Sequence, residues 1–257
     1  MIIPAIETRT VHVEHCMGTV FSIDVRDPGD WTDAIADVVA WLHHVDAVFS
    51  TYRPGSDLSR LRRRELRLAD ADPDVAVVLD LCAEVQRETG GHFSALSGGR
   101  IDPTGLVKGW AVEAASRRLR SYGSANHAVN GGGDVQLAGE AAPGRPWTVG
   151  VADPHDRTRV LTTVTGRDFA VATSGTAERG AHLTDPCTGR PVTHLASATV
   201  TGPSLTRADA YATAAFVLGR PALTWTGTVP GYAALLVDPA GRAEAGPTWP
   251  GQRPGRP

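Results

Sequence analysis

Asp209 and Thr213 stand four residues apart in RADAYATAAFVLG (residues 207–219), a stretch whose composition predicts a helix. That spacing puts a carboxylate and a hydroxyl on one helical face. They make half of a hard-oxygen set for Mg²⁺, which takes few protein ligands and completes its shell with water or phosphate. An acid near a helix start and a threonine bonded back to its own turn would give the same pattern. Asp102-Pro-Thr-Gly-Leu-Val-Lys108-Gly leads into a second helical stretch. The free N–H groups and positive end of such a helix suit a phosphate, and Lys108 adds a mobile cation. A capped helix with an exposed Lys108 is the alternative. Asn130-Gly-Gly-Gly-Asp134 reads either as a hairpin turn or bulge, or as a place where a ligand meets main chain. His182 precedes Asp185 by three residues in a glycine-bounded segment. A histidine oriented by a carboxylate can act as a general base, and a structural turn residue is the competing reading. The other histidines, His43 and His127 among them, lack such a context and read as surface or packing residues.

These groups need elements to hold them. Phe21, Ile23 and Val25 alternate with polar residues, the period of a half-buried strand. Asp30 can cap a helix whose apolar face is Ile35, Val38, Trp41, Leu42 and Val45. Asp72-Pro73 opens another, striped by Val75, Val78, Leu79, Leu81 and Val85 and closed by Gly90. A third is expected over residues 106–122, with Gly123 ending it. Beyond it the pattern turns to strands: AVN before Gly131, then segments starting near Trp147, Val160, Phe169 and Ala198. A helix over residues 207–218 and a hairpin around YAALLVD follow. Helices gather in the first half and strands in the second, which predicts an α+β domain with a mixed or antiparallel sheet. The expected domain covers residues 12–245; residues 246–257, GPTWPGQRPGRP, are expected to be a disordered Pro/Gly-rich tail.

The 257-residue chain is 42% hydrophobic with a net charge of −3. It can bury a sizeable core, and its charge gives no reason to expect nucleic acid. Cys16, Cys82 and Cys187 have no metal-ligand or disulfide-framework spacing. Without a signal-like start or a window near the ~20 apolar residues of a membrane span, a cytoplasmic protein with no membrane insertion is expected. P-loop, GxGxxG and GxSxG motifs are missing, which disfavours the folds built on them.

Taken in order, these segments resemble the ApbE family of FAD:protein FMN transferases, from about Cys16 to Val237. DPTGLVKGWAVE, VNGGGD, ATSG with HLTDPCTGRP, and ADAYATAAFVLG carry the likeness. The resemblance implies a single compact domain related to the T-fold, with flanking helices and an FAD/metal cleft between two lobes. It implies Mg²⁺ as cofactor, FAD as substrate and a threonine-bearing acceptor flavoprotein as partner. For FAD contact it points to Met17, Tyr52, His92, Phe93, Ser94, Asp102, Lys108 and Leu183. The metal site would comprise the main-chain oxygen of Gly105, the Asp209 carboxylate, the Ala212 main chain and the Thr213 hydroxyl. His182, with Asp185 beside it, would be the base. Arg62 stands where the family commonly has asparagine, Ser94 where aspartate is usual, and Thr176 where a larger residue often follows Ser-Gly. A Mg²⁺-dependent FAD pyrophosphatase and a non-catalytic FAD-binding protein are the alternative functions.

Overall fold

The computed structural model describes residues 9–175 and 184–252. Strands β1 (Thr10–Cys16) and β2 (Thr19–Val25) form a hairpin, followed by helices α1 (Thr32–Phe49), α2 (Asp57–Arg62) and α3 (Pro73–Glu88). The short pair β3 (Leu96–Ser97) and β4 (Arg100–Ile101) leads into α4 (Thr104–Ser121). Then come β5 (His127–Gly131), β6 (Asp134–Ala138), β7 (Trp147–Ala152), β8 (Val160–Gly166), β9 (Ala170–Gly175) and β10 (Ser197–Gly202). Helices α5 (Leu205–Leu218) and α6 (Pro221–Thr228) precede the last hairpin, β11 (Ala233–Val237) and β12 (Ala243–Ala245).

Eight strands make one sheet in the order β1-β2-β5-β6-β9-β10-β11-β12. Every pairing in it is antiparallel, so of the two sheet types expected the antiparallel one is formed. Helices cover one face. Phe21, Ile23 and Val25 of β2 and Val129 of β5 are fully buried in the same core as Val38, Leu42, Leu106, Leu119 and Phe216. Trp41, Trp110 and Phe49 lock α1 to α4 through edge-on ring contacts at 5.0 and 5.7 Å, and the Trp41 indole donates to the Ala111 carbonyl. The β7–β8 hairpin covers part of the other face, where Val135, Leu137, Trp147, Val164, Phe169 and Leu235 form a second core. This explains why β6, β10 and β11 are buried along their whole length, as strands covered on both faces must be.

Local signals set the boundaries. Asp72 accepts from Asp74 N at the start of α3, with Pro73 at the first helical position. Gly90 and Gly123 follow α3 and α4 with φ of +61° and +98°, the left-handed closure that glycine permits. The third helix begins at Thr104, two residues earlier than expected, because the Asp102 carboxylate accepts from both Thr104 N and Oγ1.

The expectation of a disordered tail is corrected for residues 246–252. Trp249 joins the second core at 6% exposure. Gly246 N donates to Ala234 O, Thr248 Oγ1 to Tyr232 O, and Thr162 Oγ1 to Gln252 O. Composition pointed to disorder, but one large ring and three hydrogen bonds hold the segment. Residues 253–257 lie outside the described residues.

Candidate active site

The crossing of α4 over α5 brings Gly105, Gly109, Asp209 and Thr213 together. Gly105 and Gly109 lie one turn apart on α4, as Asp209 and Thr213 do on α5, so two pairs of the same spacing face each other. Contact this close needs glycine. A Cβ at Gly109 would stand 2.6 Å from Leu205 O and 2.7 Å from the Asp209 Cβ. The Gly109 N–H is therefore free to donate to Asp209 Oδ2 at 2.9 Å. One turn earlier, a Cβ at Gly105 would meet the Phe93 ring at 3.3 Å and Thr213 Oγ1 at 3.7 Å. Thr213 Oγ1 also lies 3.1 Å from Ser174 Oγ at the end of β9. Asp209 is 4% exposed. Ala212 is fully buried beside it.

Lys108 points from α4 to Asp134 and forms an ion pair with it. Asp134 is 1% exposed, and its other oxygen accepts from Thr173 N at 2.9 Å. The expected mobile cation is thus anchored, and its anchor continues through Thr173 to its neighbour Ser174 and on to Thr213. Asn130-Gly-Gly-Gly-Asp134 takes the hairpin reading. Gly131 pairs with Asp134, and Gly132 and Gly133 between them have φ of +60° and +96°. Two positive φ values in a two-residue loop match the twist of the flanking strands. Asp134 is the residue whose importance the motif hid, since a hairpin-flanking aspartate gives no sign of its own burial or of a lysine partner 26 positions away.

The remaining expected residues fall around this junction unequally. Met17 occupies the β1–β2 turn at φ +50°, half-buried against the helical core. That turn lies beside the Gly132 turn, whose N–H donates to Val20 O. Phe93 is 2% exposed and packs at Gly105. Ser94 Oγ accepts from Leu96 N, closing its own turn. Asp102 is engaged twice: Oδ1 accepts from Thr104 N and Oγ1 at the start of α4, and Oδ2 is 2.9 Å from Arg62 Nη2. Arg62 also donates through Nε to Ile101 O at 2.5 Å. Tyr52 is 92% exposed and is not packed at the junction. His92 lies close to Asp185. Asp185 accepts from Cys187 N and Thr188 Oγ1, and these bonds, the Cys187 N–H foremost, hold its carboxyl below the usual range. His182, Leu183 and Thr176 lie outside the described residues.

The Asp209 carboxylate and the Thr213 hydroxyl are hard-oxygen donors with little protein charge, residues that could hold a metal ion. That is the chemistry of an Mg²⁺ that shares its shell with a substrate's phosphates. The model of the ApbE family matches residues 17–99 and 94–236, which is most of the chain. The chain belongs to the ApbE family. An FAD:protein FMN transferase of Vibrio cholerae serotype O1 is 34% identical over 130 residues, 47% of this chain and 39% of that protein. The FAD:protein FMN transferase of Treponema pallidum is 32% identical over 170 residues, 59% of this chain and 47% of that protein. The match thus spans less than half the length of these curated relatives. The crystal structure of the ApbE protein from Thermotoga maritima superimposes with a TM-score of 0.81 at 22% identity, over 94% of this chain and 98% of that one.

Proposed function

We propose that this chain cleaves FAD with the help of Mg²⁺ and transfers the FMN half to a threonine hydroxyl of an acceptor flavoprotein, releasing AMP. The observation that carries this reading is the α4–α5 junction, where Asp209 and Thr213 face Gly105 and Gly109 at backbone contact distance. The curated relatives, which are FAD:protein FMN transferases, support it. Asp209, Thr213 and the main-chain oxygens of Gly105 and Ala212 would hold the ion. When bound, it supplies charge neutralisation on the diphosphate and on the departing AMP. Lys108, oriented by Asp134, adds positive charge on the same side. Met17, Phe93, His92 and Ser94 would line the dinucleotide with Leu183 and Tyr52. Asp102 would meet its adenosine side as a carboxylate already paired to Arg62.

In the transfer, the threonine oxygen forms a bond to the FMN phosphorus as the bond from that phosphorus to the AMP oxygen breaks. His182 takes the threonine proton, and Asp185, held as a carboxylate near neutral pH by the bonds of its turn, orients it. A base acts on the nucleophile and not on bound FAD. His182→Ala is therefore expected to bind FAD with near-normal affinity and to transfer FMN ~10²–10⁴-fold more slowly. Loss of FAD binding and thermal stability together would make His182 a structural residue instead. Among the described residues no helix is long and apolar enough to cross a membrane. Free thiols at Cys16, Cys82 and Cys187 suit a reducing, cytoplasmic setting.

A further inference from the structure

His92, Asp185 and Cys187 bring an imidazole nitrogen, a carboxylate oxygen and a thiol sulfur within 4.8 Å of one another. The two segments that carry them are far apart in sequence and meet here. His92 follows the Gly90-Gly91 turn after α3. The Asp185 turn, closed by Cys187 N at 2.8 Å and Thr188 Oγ1 at 2.8 Å, brings the Cys187 sulfur to 3.9 Å from Gly91 O. His92 Nδ1 is buried and has no hydrogen-bond partner among the described residues. An unsatisfied buried polar atom is destabilising, and folded proteins rarely leave one without a water or an ion. The other thiol close to a histidine differs in this respect. Beside Cys16 both imidazole nitrogens are engaged, His43 Nδ1 3.7 Å from Cys16 Sγ and Nε2 3.1 Å from Glu14 Oε1.

We propose that His92, Asp185 and Cys187 form a site for a borderline-soft divalent cation such as zinc, distinct from the oxygen site at Asp209. Imidazole nitrogen, thiolate sulfur and one carboxylate oxygen are a set that zinc and cobalt accept and that Mg²⁺ does not. Ligands about 2.0–2.3 Å from zinc stand roughly 3.5 Å apart, and the three ligand atoms already lie within 4.8 Å of one another, so binding needs only a small closure. Cys187 enters as thiolate and releases its proton to solvent, Asp185 is already a carboxylate, and Nδ1 of neutral His92 offers its lone pair. Water takes the fourth position. The cation ties the segment leading into Phe93 to the segment carrying Asp185, and so braces two sides of the region around Gly105.

Cobalt is the probe, because a thiolate ligand gives it a charge-transfer band in the near ultraviolet. Titration of the reduced full chain with Co²⁺ is expected to produce that band. Zn²⁺ should bleach it and excess Mg²⁺ should not. Cys187→Ser should abolish it although Cys16 and Cys82 remain, and burial pushes those two thiols up to about 11 and about 12. His92→Gln should weaken cobalt binding at least about tenfold. Asp209→Ala should leave the band intact, which separates this site from the proposed Mg²⁺ site. Circular dichroism checks that each variant is folded. A folded wild-type chain without the band at saturating Co²⁺, or a band that survives in Cys187→Ser, would overturn the proposal.

Discussion

At the scale of single residues, burial decides what each titratable group does. His127 is fully buried on β5, with Ser116 Oγ 2.8 Å from Nε2 and Ser124 Oγ 2.8 Å from Nδ1. Burial, aided by the nearby positive charge of Arg120, lowers its pKa from 6.5 to about 4. The native state therefore keeps this ring neutral while the unfolded chain protonates it below pH 6.5, so stability falls as pH drops from about 6.5 towards 4. Between pH 7 and 5 the loss from this group is about 2 kcal/mol. Denaturant unfolding at both pH values should show a smaller pH dependence in His127→Gln than in wild type, and equal slopes would mean that His127 is not buried neutral. No context for His127 was legible, because Ser116 meets it only when α4 packs on β5 and Ser124, three residues away, only when the turn before β5 forms. The same limit applies to Lys108, whose position in DPTGLVKG was legible and whose bond to Asp134 was not.

At the scale of elements, the glycines of α4 matter more than its apolar face. A methyl group at Gly109 has no room between Leu205 O and the Asp209 Cβ. Gly109→Ala is therefore expected to push α4 and α5 apart, costing about 1–3 kcal/mol as overpacking does. It should also lower transferase activity by moving Asp209 relative to Gly105. Melting temperature and FMN transfer measured on the same preparation test this, and a variant with wild-type values for both would show that the helix contact is looser than described. The amphipathic helices α1 and α3 were readable because their apolar residues recur at helical spacing, while α5, buried on nearly every side, was readable from its composition. β6 was not identified as a strand, since burial on both faces removes the alternation that marks one. Short α2 and α6 carry too few periodic residues to stand out. That Gly105 and Gly109 face Asp209 and Thr213 is a tertiary fact. Sequence supplied the Asp209/Thr213 spacing and the resemblance supplied Gly105, while Gly109 was not singled out because only the helix crossing gives it a role.

At the scale of the whole molecule, helices close one face of the sheet while the β7–β8 hairpin and Trp249 close part of the other. The composition of residues 246–257 concealed this, because Pro and Gly dominate a segment anchored by one tryptophan. Truncation after residue 245 should expose Trp147, Phe169 and Leu235 in the second core. Losing a buried tryptophan costs about 3–5 kcal/mol, so a clear fall in melting temperature is expected, and an unchanged value would return the segment to the status of a dispensable tail. The fold holds α4 against α5, and the role proposed for this junction is to hold Mg²⁺ for transfer of FMN from FAD. Intact-mass measurement of an acceptor flavoprotein after incubation with the chain, FAD and Mg²⁺ tests it most directly. Wild type should add the mass of one FMN less water to the acceptor, while Asp209→Ala leaves the acceptor unmodified. An unmodified acceptor with FMN and AMP accumulating in solution, or full modification by Asp209→Ala, would contradict the account.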